Sequence, residues 1–207
     1  MFVKAIPVGH LETNSYIAVC DRTKEAVVID PGADIPLIIE QLDKANASVS
    51  AILLTHGHFD HCGGLGTIKE AFPVPIYMHR DDIPYVANAK SHSRMYGISI
   101  PQVPLPEQFI YDGQVISFGD CSLRVIHTPG HTPGGVCFYT QGILFSGDTL
   151  FSGSVGRTDL PGGNFDAIYT SIKNKLYILP DDTTVYPGHG PCTTIGEEKS
   201  SNPYVTA

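Results

Sequence analysis

The 207-residue sequence predicts a mixed α/β (α+β) fold, a four-layer αββα sandwich. Short apolar or alternating runs bounded by Gly and Pro turns recur in both halves, which is the patterning of strands. Each strand-rich half is followed by segments with helical spacing. No linker or abrupt change of composition separates the halves, so residues 1–207 are expected to form a single domain with a substantial core. Two sheets packed face to face with helices outside satisfy that pattern.

The elements follow in order. Residues 2–8, 15–20 and 26–29 read as strands, the last running into the turn Asp30-Pro31-Gly32. Ile35, Ile38, Ile39 and Leu42 share one helix face. Residues 49–54 form a short apolar run that suits a buried strand, and Asp60 and His61 then open a helix to about Phe72, with the acid near its positive end. A strand is expected at 75–79. Residues 88–108 carry Pro101, Pro104 and Pro106 and little periodicity, so a long loop is expected there, placed as a flap near a functional site. Strands resume at 114–118, 121–127, 135–140 and 143–146. Ile168, Ile172, Leu176 and Leu179 then stripe a helix over 165–179, before a strand at 183–186 and a helix at 194–200.

Composition narrows the function. Apolar content of 42% and charged content of 16% suit a folded soluble protein. The formal charge is -8, and the 13 Lys and Arg form no run, so no basic stripe for nucleic acid is present. No segment reaches transmembrane length, and Met1-Phe2-Val3-Lys4 leads into an alternating segment rather than a secretory apolar core. Cys20, Cys62, Cys121, Cys137 and Cys192 are odd in number, widely spaced and free of C-x-x-C pairs, so reduced thiols and a cytoplasmic location are expected. Oligomeric state is not encoded in any pattern visible here.

The chemistry lies in Thr55-His56-Gly57-His58-Phe59-Asp60-His61, which sets His56, His58, Asp60 and His61 directly after an apolar run. Such density of imidazole and carboxylate points to a metal site. Three later segments repeat one design, a strand followed by a Gly-flanked polar turn: Pro129-Gly130-His131, Ser146-Gly147-Asp148 and Pro187-Gly188-His189. Gly and Pro let the backbone turn sharply at a strand end, so several such turns can aim ligands at one point. His10, His79, His92 and His127 fall outside this design and read as structural or surface residues, and Cys62 as a small buried one.

His56-x-His58-x-Asp60-His61, followed by His131, Asp148 and His189 in their Gly-rich contexts, resembles the metallo-β-lactamase superfamily. Within it, Gly147-Asp148-Thr149-Leu150-Phe151, Gly156-Arg157-Thr158-Asp159 and Pro187-Gly188-His189-Gly190-Pro191 are similar to the glyoxalase II-like hydrolases, in their short bacterial form without a C-terminal helical domain. The resemblance implies the αββα fold and two metals per chain, one on His56, His58 and His131 and the other on Asp60, His61 and His189, with Asp148 shared. Zinc suits this ligand mix, and iron and manganese are chemically compatible. Asp60 and Asp148 are the expected catalytic carboxylates. Asp30 is expected to hydrogen-bond the His56–Asp60 loop, with Thr55 supporting the same turn. Tyr96 in the flap, Phe151 and Arg157 are candidates to line the site, and Arg157 with Asp159 reads equally as a local ion pair.

The resemblance implies hydrolysis of a small-molecule thioester of the S-lactoylglutathione type, or a related small ester, by a metal-activated water. Alternatives of the same fold are a persulfide dioxygenase, implied to use one iron on His56, His131 and Asp148, and a lactonase. The zinc-dependent β-lactamases commonly carry Cys where this chain has Asp148, and their commonest subclass has no counterpart of His61, so the chain is not expected to be one of them. A silent metal-binding module is disfavoured because every ligand of the pattern is in place.

Overall fold

The computed structural model describes residues 1–206, which group into two compact units. The first is Met1–Ile110 with Ser117–Ser122, and the second is Tyr111–Ile116 with Leu123 onward.

The first unit is built on a six-stranded sheet in sequential order: β1 (Phe2–Val8), β2 (Thr13–Val19), β3 (Glu25–Ile29), β4 (Ser48–Leu53), β5 (Ile76–His79) and β6 (Gln108–Ile110). β1, β2 and β3 pair antiparallel, and β3 to β6 pair parallel. Parallel neighbours need crossovers, and helices supply them. α1 (Ile35–Lys44) joins β3 to β4, α2 (Phe59–Cys62) and α3 (Leu65–Ala71) join β4 to β5, and α4 (Ile83–Met95) joins β5 to β6. α1 buries Ile35, Ile38 and Leu42, three of the four residues expected on its apolar face. They pack with Ile17, Val28, Ile52, Leu65, Ile68 and Met78 in one cluster. Each such side chain contributes about 1.5–3 kcal/mol by leaving water.

Two expectations fail here, each for a physical reason. The helix expected from Asp60 to Phe72 is broken at Gly63-Gly64 into α2 and α3. The Gly64 N–H donates to the Pro31 carbonyl at 3.0 Å rather than to a carbonyl of its own helix, so the helical ladder is interrupted there. The loop expected over 88–108 is helical as far as Met95, and Gln108 already belongs to β6. The face of α4 that packs inward is Val86, Ala89 and Ser93, whose small and polar side chains give almost no apolar periodicity.

The second unit carries the other sheet, in the order β14 (Thr193–Thr194), β13 (Thr184–Pro187), β10 (Ile143–Gly147), β9 (Val136–Thr140), β8 (Cys121–His127) and β7 (Val115–Phe118). The β7–β8 tip, Ser117–Ser122, is the segment that groups with the first unit. β10 and β13 are parallel, whereas β8–β9, β9–β10 and β13–β14 are antiparallel. A two-stranded ribbon of β11 (Leu150–Phe151) and β12 (Ser154–Val155) follows β10. α5 (Phe165–Ser171) continues as a π-helical turn, Ile172–Leu176, in place of the single helix expected to Leu179. α6 (Ile195–Ser201) ends the regular structure. Asn164 caps α5 by accepting the Ala167 N–H at 2.9 Å, and Thr194 caps α6 by accepting the Glu197 N–H at 3.2 Å. Ile168, Ile172, Leu176, Val185 and Ile195 form this unit's core. Among the described residues no helix is long and apolar enough to cross a membrane.

Candidate metal centre

Parallel strands decide where the polar residues of each unit fall, because the loops at their carboxyl ends emerge on one side. In the first unit β3 and β4 are parallel neighbours. β3 delivers Asp30, and β4 leads to Thr55 and His56. The Asp30 N–H donates to the Leu53 carbonyl at 3.0 Å, which stitches the two strand ends together. Asp30 is buried, has φ of 50°, and gathers three donors: the Thr55 N–H at 2.8 Å, the Thr55 hydroxyl at 2.6 Å and Nδ1 of His61 at 2.9 Å. The next turn packs against the loop it holds. A Cβ on Gly32 would lie 1.6 Å from the Asp60 carbonyl oxygen, so only glycine permits this approach.

These contacts fix how the imidazoles present themselves. A carboxylate only accepts, so Nδ1 of His61 carries a proton, and in the neutral ring its Nε2 carries a lone pair. The Thr55 hydroxyl spends its proton on Asp30, so it accepts from Nδ1 of His56 at 3.1 Å, and Nε2 of His56 is likewise an acceptor. That Nε2 faces Nδ1 of His58 at 3.1 Å. Nε2 of His61 stands 3.4 Å from Oδ2 of Asp60, whose carboxylate also accepts from the Thr13 hydroxyl at 3.0 Å. An imidazole lone pair turned toward a carboxylate oxygen is an arrangement that a cation resolves. The donors fit a metal of the zinc and iron class.

The second unit repeats the logic on another parallel pair. β10 ends at Gly147 and delivers Asp148; β13 ends at Pro187 and delivers His189. The Gly188 N–H donates to the Gly147 carbonyl at 2.8 Å and ties the two ends together. Thr128 and Thr149 share a hydroxyl hydrogen bond of 2.9 Å, linking the turn that carries His131 to the one that carries Asp148. Nδ1 of His131 donates to the main-chain carbonyl of Arg157 at 2.8 Å. A carbonyl only accepts, so in the neutral ring Nε2 of His131 again carries the lone pair, and it stands 3.4 Å from Oδ2 of Asp148. Nε2 of His189 is 3.7 Å from the same oxygen. A Cβ on Gly156 would lie 1.8 Å from the Asp148 carbonyl, the counterpart of Gly32 against Asp60.

Residues 8–189 match the family model of the metallo-beta-lactamase superfamily. The chain belongs to that superfamily.

Its relatives include a "Probable metallo-hydrolase YqgX" of Bacillus subtilis, 36% identical over 98% of this chain and 96% of that protein. The "Hydroxyacylglutathione hydrolase GloC" of Haemophilus influenzae is 33% identical over 100% and 99%. Among solved structures, "BLEG-1 B3 metallo-beta-lactamase" superposes with a TM-score of 0.92 at 40% identity, covering 100% of both chains. "TTHA1623 in a di-iron-bound form" superposes with a TM-score of 0.90 at 40% identity over 98% of this chain and 100% of that one. The two sheets with their helices are thus the metallo-β-lactamase fold expected from the sequence.

Against the pattern of this superfamily, the remaining candidates divide. Asp30 and Thr55 hold imidazoles, and Asp30 reaches His61 as well as the start of the loop. Phe151 lies edge-on to His189, with ring centres 6.3 Å apart. Tyr96 is half exposed and packs on Phe59, the residue before Asp60, at 5.3 Å. The Arg157 side chain forms a bidentate pair with Asp159, both bonds 2.9 Å, on the surface. Its main-chain carbonyl is the part that serves the site.

Three contributors escaped the sequence. Asp82 is fully buried and accepts the Gly57 N–H at 2.9 Å, pinning the residue between His56 and His58. Tyr85 stands edge-on to His58 at 5.4 Å between ring centres, and Thr13 orients Asp60. Asp82 follows β5, a third parallel strand beside β4, so the carboxyl-end rule was the signal that could have found it.

Proposed function

We propose that this chain is a metal-dependent hydrolase of small thioesters, of the hydroxyacylglutathione type, working as one domain in the cytoplasm. In this reading His56, His58 and His131 hold one metal, Asp60, His61 and His189 hold a second, and Asp148 serves both. The observation that carries it is likeness along the whole length to a hydroxyacylglutathione hydrolase, 99% of which this chain covers. The tautomers of His56, His61 and His131 support it, since each turns a lone pair outward.

Bound at these residues, a metal pair would supply a water acidified from a pKa of about 15.7 to about 7, a nucleophile at neutral pH. The chain's own groups do the rest. Asp60, aligned by Thr13, orients the attacking water, and Asp30 keeps the His61 ring in its accepting tautomer. A narrow cleft of about 40 Å³ beside Asp60, lined by Leu11, Phe59, Ile98 and Ile100, suits a short uncharged acyl group. No Ser or Cys nucleophile is called for, which fits the burial of Cys62 beside His61 and the raising of its thiol by that burial.

Metal quantification on protein purified without added metal, followed by S-lactoylglutathione turnover, tests the reading. About two metals per chain with turnover is the expected result, whichever of zinc, iron or manganese is found. One iron per chain with oxygen uptake and no thioester cleavage overturns it. Asp148→Ala is expected to lower metal content and abolish turnover while the circular dichroism of the fold persists. A second reading, hydrolysis of the cyclic amide of β-lactams, is favoured by the likeness to the BLEG-1 enzyme. Nitrocefin cleavage outpacing thioester cleavage would select it.

A further inference from the structure

Two cysteines distant in sequence meet in the first unit. Cys20 directly follows β2, and Cys121 opens β8. The Asp120 N–H donates to Sγ of Cys20 at 3.4 Å, and a Cβ on Gly119 would lie 3.0 Å from that sulfur, so the chain reaching Cys121 runs against it. The approach is clamped on both sides. The Gly119 N–H donates to Glu25 at 3.0 Å, and the Arg22 guanidinium grips both carboxylate oxygens of Asp120.

The two thiols differ in kind. The Thr23 hydroxyl, the Thr23 N–H and the Asp120 N–H point at the Cys20 sulfur and lower its pKa to about 6. Cys121 is half-buried, and desolvation together with the neighbouring Cys20 sulfur raises its thiol. Cys62, Cys137 and Cys192 are all pushed up by burial, so Cys20 is the thiol of the five held lowest. A nested thiolate beside a protonated thiol is the arrangement of an attacking and a resolving cysteine.

We propose that Cys20 and Cys121 are a peroxide-oxidised dithiol, a modification site that closes to a disulfide and staples the β7–β8 tip to the loop after β2. The Cys20 thiolate attacks one oxygen of hydrogen peroxide; the O–O bond breaks and hydroxide leaves, giving a sulfenic acid. The Cys121 thiol then attacks that sulfur, the S–O bond breaks, and its proton leaves with the second hydroxide as water. The two thiols lose two electrons and peroxide gains them. Cys20 is only 2% exposed, so the site admits a small peroxide and resists a bulky disulfide such as oxidised glutathione.

The test is non-reducing peptide mapping of the reduced full-length protein after graded hydrogen peroxide and an N-ethylmaleimide quench. The expected product is a Cys20–Cys121 linked peptide lighter by two hydrogens, formed at lower doses than any oxidation of Cys192. In Cys121→Ser, dimedone is expected to capture a sulfenic acid on Cys20. Thiolate absorbance near 240 nm, as the difference between wild type and Cys20→Ser, should rise through a midpoint of about 6. Recovery of Cys20 and Cys121 as two separate maleimide adducts, at doses that oxidise Cys192, overturns the proposal. So does a Cys20 thiolate that appears only above pH 8.

Discussion

The two units solve the same problem with different materials. The first concentrates His56, His58, Asp60 and His61 on one loop and short helix, and clamps the rings with side chains: Asp30 on His61, and Thr55 on His56. The second spreads His131, Asp148 and His189 over three turns, and clamps His131 with a main-chain carbonyl. A side-chain clamp makes a precise tautomer depend on one residue type. A backbone clamp makes it depend on the path of the chain and on no side chain at all. What the units share is a glycine pressed against the carbonyl of a candidate-site aspartate, Gly32 on Asp60 and Gly156 on Asp148. Both also use adjacent parallel strands whose carboxyl ends are tied by a main-chain hydrogen bond.

The shared feature predicts the largest effect. Gly32→Ala and Gly156→Ala each place a methyl within 1.6–1.8 Å of a backbone oxygen, where no flexible side chain can yield. Each is expected to cost about 1–3 kcal/mol or more, and to lower metal content with stability. Thermal melts and metal quantification check this; a full-stability, full-metal alanine variant at either position would refute the shared design.

The contrast predicts the next effect. In Asp30→Asn one side of the amide becomes a donor, facing the Thr55 hydroxyl and Nδ1 of His61. His61 then has reason to move its proton to Nε2, which removes a ligand lone pair. A loss of about 10–100-fold in metal affinity is expected, the usual range for such supporting partners. Competitive chelator titration reads it, and nitrogen-15 shifts of the His61 ring report the tautomer. The smallest effect belongs to the backbone clamp. Arg157→Ala removes the exposed pair with Asp159, expected to be worth about 0.2–1 kcal/mol or less, and leaves the carbonyl that holds His131. Metal content should not change. A large loss of metal in Arg157→Ala would show that the side chain, not the chain path, matters there.

Legibility in the sequence followed the same divide. The first cluster was readable because four imidazole and carboxylate side chains within six positions, directly after an apolar strand, are far denser than ordinary surface polarity. His131, Asp148 and His189 were readable only through their repeated Gly-rich turns and their order. Asp82 and Thr13 were not, because each acts from another strand or helix with no local pattern to mark it. The α4 helix was missed because its inward face uses Ala and Ser, which carry no hydrophobic period.

By itself, the sequence determined the longer strands, the metal-binding residue types and the superfamily, since these depend on local spacing and on turns that Gly and Pro impose. Only the tertiary structure decided which nitrogen of His61 and of His131 faces an acceptor and so carries a proton. That choice is made by acceptors brought from elsewhere in the chain, the Asp30 carboxylate and the Arg157 carbonyl, and a main-chain carbonyl carries no residue identity for a sequence to display.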